Sequence, residues 1–155
     1  MKLRIVALGT RMPAWVDAAV DEYLRRLPRE MPVELIEIKP EARDRSRTAK
    51  QMLAAEAHRI EAATQGSQTI ALDERGEAWT TARLAQRLRD ARDHSENLAF
   101  VIGSADGLGE DVKRSADAIV SLSALTLAHG VARVVLAEQI YRAASMLAGH
   151  PYHRA

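Results

Sequence analysis

Five short apolar runs are spaced along this chain, each followed by a longer amphipathic stretch, and no other feature restricts the fold so strongly. The runs are Leu3–Leu8, Val33–Ile38, residues 69–72, Leu98–Ile102 and residues 118–122. Runs of about four to eight apolar residues, bounded by turn signals, read as strands buried on both faces. Helical spacing fills the gaps. Pro13 fits the first turn of a helix whose Trp15, Ala18, Ala19, Glu22, Tyr23 and Arg26 lie on neighbouring turns, and Pro28 closes it. Ser46 or Thr48 caps a second helix that runs to about Ala63 and stops at Gln65-Gly66-Ser67. Thr80 or Thr81 caps a third, running to about Arg92, with Leu84 and Leu88 at an i, i+4 spacing. A short helix from Glu110 to about Ser115 and a long one from Val131 to Leu147 complete the set. The alternation predicts an α/β fold, a mostly parallel sheet with helices on both faces.

The length of 155 residues fits one domain covering 1–155. A chain of this size buries roughly 70% of the surface its unfolded form exposes, so it needs no disulfide or metal staple. The absence of cysteine excludes a disulfide scaffold, a Cys-type zinc site, an iron–sulfur cluster and a thiol nucleophile. Lys and Arg number 22 against 21 Asp and Glu, which excludes a module binding nucleic acid by bulk charge alone but leaves local basic patches open. Aromatic residues, at 4%, are too few for a surface that stacks many bases. No stretch approaches the ~20 apolar residues of a membrane span. The N-terminal apolar run is too short for a signal-peptide core. A cytoplasmic protein without membrane contact is expected.

Several segments carry chemistry or its absence. Residues 103–109 form a glycine-containing loop between a buried strand and a helix, where open α/β sheets hold ligands. The loop lacks the Lys-Ser/Thr of a phosphate-binding loop and the spacing of a dinucleotide fingerprint, so a tight strand-to-helix turn is the competing reading. Residues 73–77 read as a turn. Residues 122–130 are apolar where a polar loop belongs, which points either to a buried or ligand-clasping loop or to a strand that runs on. On the last helix Glu138 and Arg142 stand four apart, with Arg133 on a neighbouring face among apolar residues. That helix has little polar surface and reads as buried on most sides, in part by a second subunit. The tail holds His150, Tyr152, His153 and Arg154; with no third ligand for a His-x-x-His pair, no metal is expected. Lys39, Arg43, Arg45 and Arg47 lie in a polar segment that reads as a mobile, solvated loop or a phosphate contact.

Leu122-Ser123-Ala124-Leu125-Thr126, His129, the run from Arg133 to Ala143, and Pro151-Tyr152-His153 closely resemble the RlmH family of small SPOUT-class methyltransferases. The likeness also covers Met1-Lys2-Leu3, Gly9-Thr10, Met12-Pro13, Trp15, Glu22-Tyr23, the second strand, Ile102-Gly103 and Gly107-Leu108. Two positions depart from the family pattern: Ser104 stands where a second glycine is usual, and Ala128 where a proline is usual. The resemblance implies a SPOUT fold with a C-terminal trefoil knot, an exception to ordinary connection rules. It implies a homodimer whose interface uses the last helix. It implies S-adenosylmethionine as cofactor, held by Leu72, Gly103, Leu122, Ser123, Ala124, Leu125, Thr126 and Leu127. It implies methylation of N3 of a pseudouridine in large-subunit (23S) ribosomal RNA, within the ribosome or large subunit.

Under that reading the acceptor is a weakly acidic imide N–H that must lose its proton. His129, Glu138 and His153 are candidates to take it, with the tail and His129 ranked ahead of Glu138. Arg142 and Arg154 can stabilise the developing anion, and Tyr152 can stack on the base. Two competing classes remain at this stage: a non-enzymatic RNA- or ribosome-binding α/β module, and an unknotted nucleotide-binding protein.

Overall fold

The computed structural model describes residues 1–42 and 44–154. The strands are β1 (Leu3–Leu8), β2 (Val33–Ile38), β3 (Gln68–Ala78), β4 (Leu98–Ile102) and β5 (Ala118–Ser121). The helices are α1 (Ala14–Leu24), α2 (Ala49–Thr64), α3 (Thr81–Asp93), α4 (Glu110–Ser115) and α5 (His129–Leu147), followed by a single 3₁₀ turn at Pro151–Arg154. All strand pairs are parallel, in the order β2-β1-β4-β3-β5.

The two-residue period of the strands sorts their side chains between two cores. Leu3, Ile5 and Ala7 of β1, with Leu98, Phe100 and Ile102 of β4, pack with Leu84, Leu88, Leu136 and Ile140 of α3 and α5. Val6 and Leu8, with Val101 and Ala71, pack on the other face with Ile60 of α2 and Val112 of α4. Both faces of the sheet are therefore covered, and β4 is buried along its whole length. A smaller cluster of Val16, Val20 and Ala137 joins α1 to α5.

The capping residues resolve as Thr48, which forms a capping box with Gln51, and Thr80, which accepts from the Arg83 N–H at 3.1 Å. Pro13 is the N-cap of α1 rather than a first-turn residue. Helix α5 starts at His129, two residues before the expected Val131, and β5 stops at Ser121.

One expectation fails outright. Residues 73–77 are not a turn that ends the third strand, because β3 continues to Ala78. Leu72 pairs with Val120, the chain makes an excursion over the next four residues, and Glu77 then returns to the same Val120. The polar, glycine-containing sequence disguised an irregularity inside a strand.

The segment 39–47 is tied down to α2. The Arg59 guanidinium bonds the Lys39 carbonyl and the Glu41 carboxylate, and Arg47 pairs with Glu41 at 2.6 Å. Arg43 lies outside the described residues.

Candidate active site

The carboxyl ends of β4 and β5 and the excursion in the middle of β3 open into a cleft of about 620 Å³. Seven of the eight residues expected to hold a cofactor line it: Leu72, Gly103, Leu122, Ser123, Leu125, Thr126 and Leu127. The eighth, Ala124, is exposed in the same loop and does not line the cleft. Ser121 anchors the start of this loop by donating to the Ser123 carbonyl at 2.8 Å, and Ser123 Oγ accepts from the Leu125 N–H at 2.9 Å. Thr126 donates to Glu74 across the cleft at 3.0 Å. The opposite wall is Gly103 to Gly107, where the Gly107 N–H donates to the Ser104 carbonyl at 2.9 Å. Gly107 has φ +77°, and a Cβ at Gly103 would stand 2.7 Å from Gly107, so both glycines are required by the turn. Ser104 therefore takes part through its backbone, and its side chain replaces nothing the turn needs. Asp73, paired with Lys113 at 2.9 Å, and Glu74 bring acidic groups to the same cleft.

His129 also lines the cleft, but both ring nitrogens are engaged. Arg133 Nε donates to His129 Nε2 at 2.9 Å, and His129 Nδ1 lies 2.8 Å from the Gly103 carbonyl. A guanidinium can only donate, so Nε2 carries the lone pair and Nδ1 carries the proton. Burial lowers the ring's affinity for a second proton, against the Gly103 carbonyl, which favours the charged form; Arg133 adds to the lowering and Glu37 opposes it. Arg133 is 1% exposed and also donates to Glu37 at 2.7 Å and to the Gly9 carbonyl at 2.7 Å. Sequence reasoning placed Arg133 among apolar residues but missed its partners, since Gly9 and Glu37 are remote in the chain.

The remaining candidates form a second cluster on α5 and the tail, away from the cleft lining. Glu138 Oε1 accepts from Arg142 Nε at 2.9 Å and from the Tyr152 hydroxyl at 3.2 Å, and Glu138 Oε2 accepts from Gln139 at 2.7 Å. Arg142 lies 4.9 Å from the Tyr152 ring centroid, and Tyr152 meets Tyr141 edge-on at 4.6 Å. Tyr141 extends the stack to Tyr23, and Arg26 sits over both at 5.6 Å and 5.7 Å. Tyr23, Arg26 and Tyr141, visible in the sequence as helix residues, were not among the site candidates; the i, i+3 spacing of Tyr23 and Arg26 was the available signal. Burial and the hydrogen bond with Tyr23, with Glu138 close by, push the Tyr152 hydroxyl up to about 12, so it stays a donor. The His153 Nδ1 is buried and has no hydrogen-bond partner among the described residues. Arg154 is exposed at the end of the 3₁₀ turn.

Among the described residues no cluster of three or more His, Asp or Glu is placed to hold a metal, and no helix is long and apolar enough to cross a membrane.

Residues 1–153 match a family model described as "Predicted SPOUT methyltransferase". Two relatives are each named "Ribosomal RNA large subunit methyltransferase H". The one from Burkholderia cenocepacia is 51% identical and the one from Burkholderia mallei 52% identical, each over the whole of both chains. Among solved structures, a "Probable Methyltransferase" from Bordetella pertussis superposes with a TM-score of 0.62 at 17% identity, covering 92% of this chain and 95% of that one. A "probable methylase family protein" from Haemophilus influenzae gives 0.63 at 13% identity, covering 97% and 69%. These two likenesses concern the fold.

Proposed function

The chain belongs to the SPOUT methyltransferases, and within them to the RlmH family; we propose that it methylates N3 of a pseudouridine in 23S ribosomal RNA, using S-adenosylmethionine. The observation that carries this reading is the cleft between the carboxyl ends of β4 and β5 and the β3 excursion, formed by the loops the family resemblance names. Its volume falls within the roughly 300–1,000 Å³ of small-molecule sites. Its lining suits the cofactor: leucine side chains for an apolar purine face, loop backbone for the purine edge, and the Glu74 carboxylate for a cationic group, Asp73 being paired with Lys113. When bound, S-adenosylmethionine supplies a methyl group on a sulfonium that needs orientation more than activation.

The protein's own residues then divide the work. The loop from Leu122 to Leu127 and Gly103 hold the cofactor. His129 keeps its single proton on Nδ1 and offers no lone pair to a substrate. Glu138 is occupied by three donors and holds Arg142 and Tyr152 in place. Removal of the imide proton falls to the tail, where the His153 ring stands beside Tyr152 and Arg154. Arg142 and Arg154 offset the negative charge that develops on the base, and Tyr152 offers it an aromatic face.

Cleft and tail cluster are separate in one chain. We propose that a homodimer unites them, the tail of one copy serving the cleft of the other. Leu125, Trp15 and Val131 support this: they are 77%, 58% and 38% exposed, unusual for large apolar residues, and lie on the cleft loop, α1 and α5. The threading of the C-terminal segment through a trefoil knot is what the SPOUT family implies for this chain. Arg45 and Arg154 are exposed for phosphate contacts, whereas Arg47 is neutralised by Glu41. With a net charge of only +1, bulk attraction to RNA is weak, so the substrate is a structured ribosomal particle whose shape adds to the binding.

The test is mass spectrometry of ribosomal RNA from cells lacking this protein. One methyl group is expected to vanish from one pseudouridine of the 23S RNA and to return on complementation; an unchanged methylation pattern overturns the proposal.

A further inference from the structure

Burying a guanidinium is expensive, and an apolar side chain of similar volume often packs in its place with no loss of stability. Arg133 is nevertheless the largest fully buried side chain in the fold. It spends its donors on three groups from three separate segments: the Gly9 carbonyl after β1, Glu37 in β2 and His129 at the start of α5. His129 carries the connection to a fourth, the Gly103 carbonyl after β4. The sheet order puts β2, β1 and β4 side by side, so one arginine ties three adjacent strand ends to the helix that follows the cofactor loop. Gly9 fits this packing: a Cβ there would stand 3.2 Å from both Arg133 Nη2 and His129 Nε2.

We infer that Arg133 is a positioning residue for methyl transfer, acting through His129 to fix the Gly103 carbonyl at the wall of the cofactor cleft. An isolated neutral imidazole exchanges between two tautomers, and only one can donate to Gly103. The Arg133 N–H selects it by requiring a lone pair on Nε2. The same contact disfavours a doubly protonated ring, so His129 adds no positive charge to the cleft wall. Lysine cannot reproduce this, because a single ammonium lacks the fixed fork that reaches three acceptors at once.

The inference rests on the reading of the cleft as the S-adenosylmethionine site, and its test separates the two. In the full-length protein, side-chain nitrogen NMR of His129 at neutral pH reports the tautomer without any ligand. The expected signature is a protonated Nδ1 and a bare Nε2; the opposite tautomer overturns the relay. Calorimetry with S-adenosylmethionine then compares variants. Arg133→Met and Arg133→Lys are expected to weaken binding about tenfold, the size of one lost hydrogen bond. His129→Gln, whose amide can donate to Gly103 and accept from Arg133, is expected to bind more tightly than His129→Ala. Equal losses in these two His129 variants overturn the relay, as does unchanged affinity in both Arg133 variants. If the Arg133 variants fail to fold, the His129 pair and the tautomer decide. If the unaltered protein does not bind S-adenosylmethionine, the cleft reading falls, while the NMR signature still judges the Arg133–His129 link.

Discussion

Gly76 and Val120 are in such close contact that a side chain on the first would stand 2.7 Å from the backbone of the second. The contact closes the excursion in β3 against β5, next to Arg75 and Ser121 of the cleft lining. Gly76→Ala must displace backbone rather than a flexible side chain. It is expected to destabilise the fold by about 1–3 kcal/mol, measured by chemical denaturation, and to weaken cofactor binding in parallel. An unchanged unfolding midpoint would show that β5 yields freely.

The tail contributes no residue to the cleft lining. Removing residues 152–155 is expected to leave S-adenosylmethionine binding nearly intact by calorimetry and to abolish methyl transfer to ribosomal particles. Full activity after the deletion refutes the proposed role of Tyr152, His153 and Arg154.

Ala128 has φ −62° and ψ 151°, within the range proline enforces, and serves as the N-cap of α5. Ala128→Pro is expected to stabilise the protein by about 0.4–1 kcal/mol, by restricting the unfolded chain. Thermal unfolding checks the direction. The family's proline is thus geometrically compatible here, and alanine forgoes its stiffness.

Glu56 is 4% exposed, and burial raises its carboxyl above the ordinary range, against the Glu41 N–H and Arg59, which favour the anion. A carboxyl with a raised native pKa binds protons more readily when folded, so its ionisation costs stability as pH rises from the unfolded value of 4.5 through the native one. Glu56→Gln is expected to be more stable than the parent at pH 7, with the advantage shrinking as pH approaches that lower value. A difference that stays constant with pH would mean that packing, not charge, is responsible.

The sheet and helices were legible because strands buried on both faces are nearly uniform apolar runs, and β4 and α4 begin and end where the sequence places them. The β3 excursion was not legible. Asp, Glu, Arg and Gly at 73–77 carry the chemistry of a turn, and only the approach of β5 turns them back into strand. At the candidate site, the loop 122–127 betrayed itself by being apolar where solvent exposure was expected. The partners of His129 and Arg133 stayed hidden because the hydrogen bonds of His129 to Gly103 and of Arg133 to Gly9 and Glu37 follow from strand order, which local periodicity does not encode. Glu138, Arg142 and Tyr152 were individually visible, whereas their union through one carboxylate depends on how the 3₁₀ turn folds back on α5.

The return of Glu77 to Val120 also has a consequence for how the protein is made. The β3 segment leaves the ribosome well before β5 has been synthesised, so the partner that both of its ends require does not yet exist. Pairing between segments distant in sequence is intrinsically slow. The first four strands can assemble on the nascent chain, but the final edge waits for the C-terminal third. A chain released short of Ser121 would carry most of the hydrophobic core and no cleft at all, which makes premature termination a route to a compact but inert product.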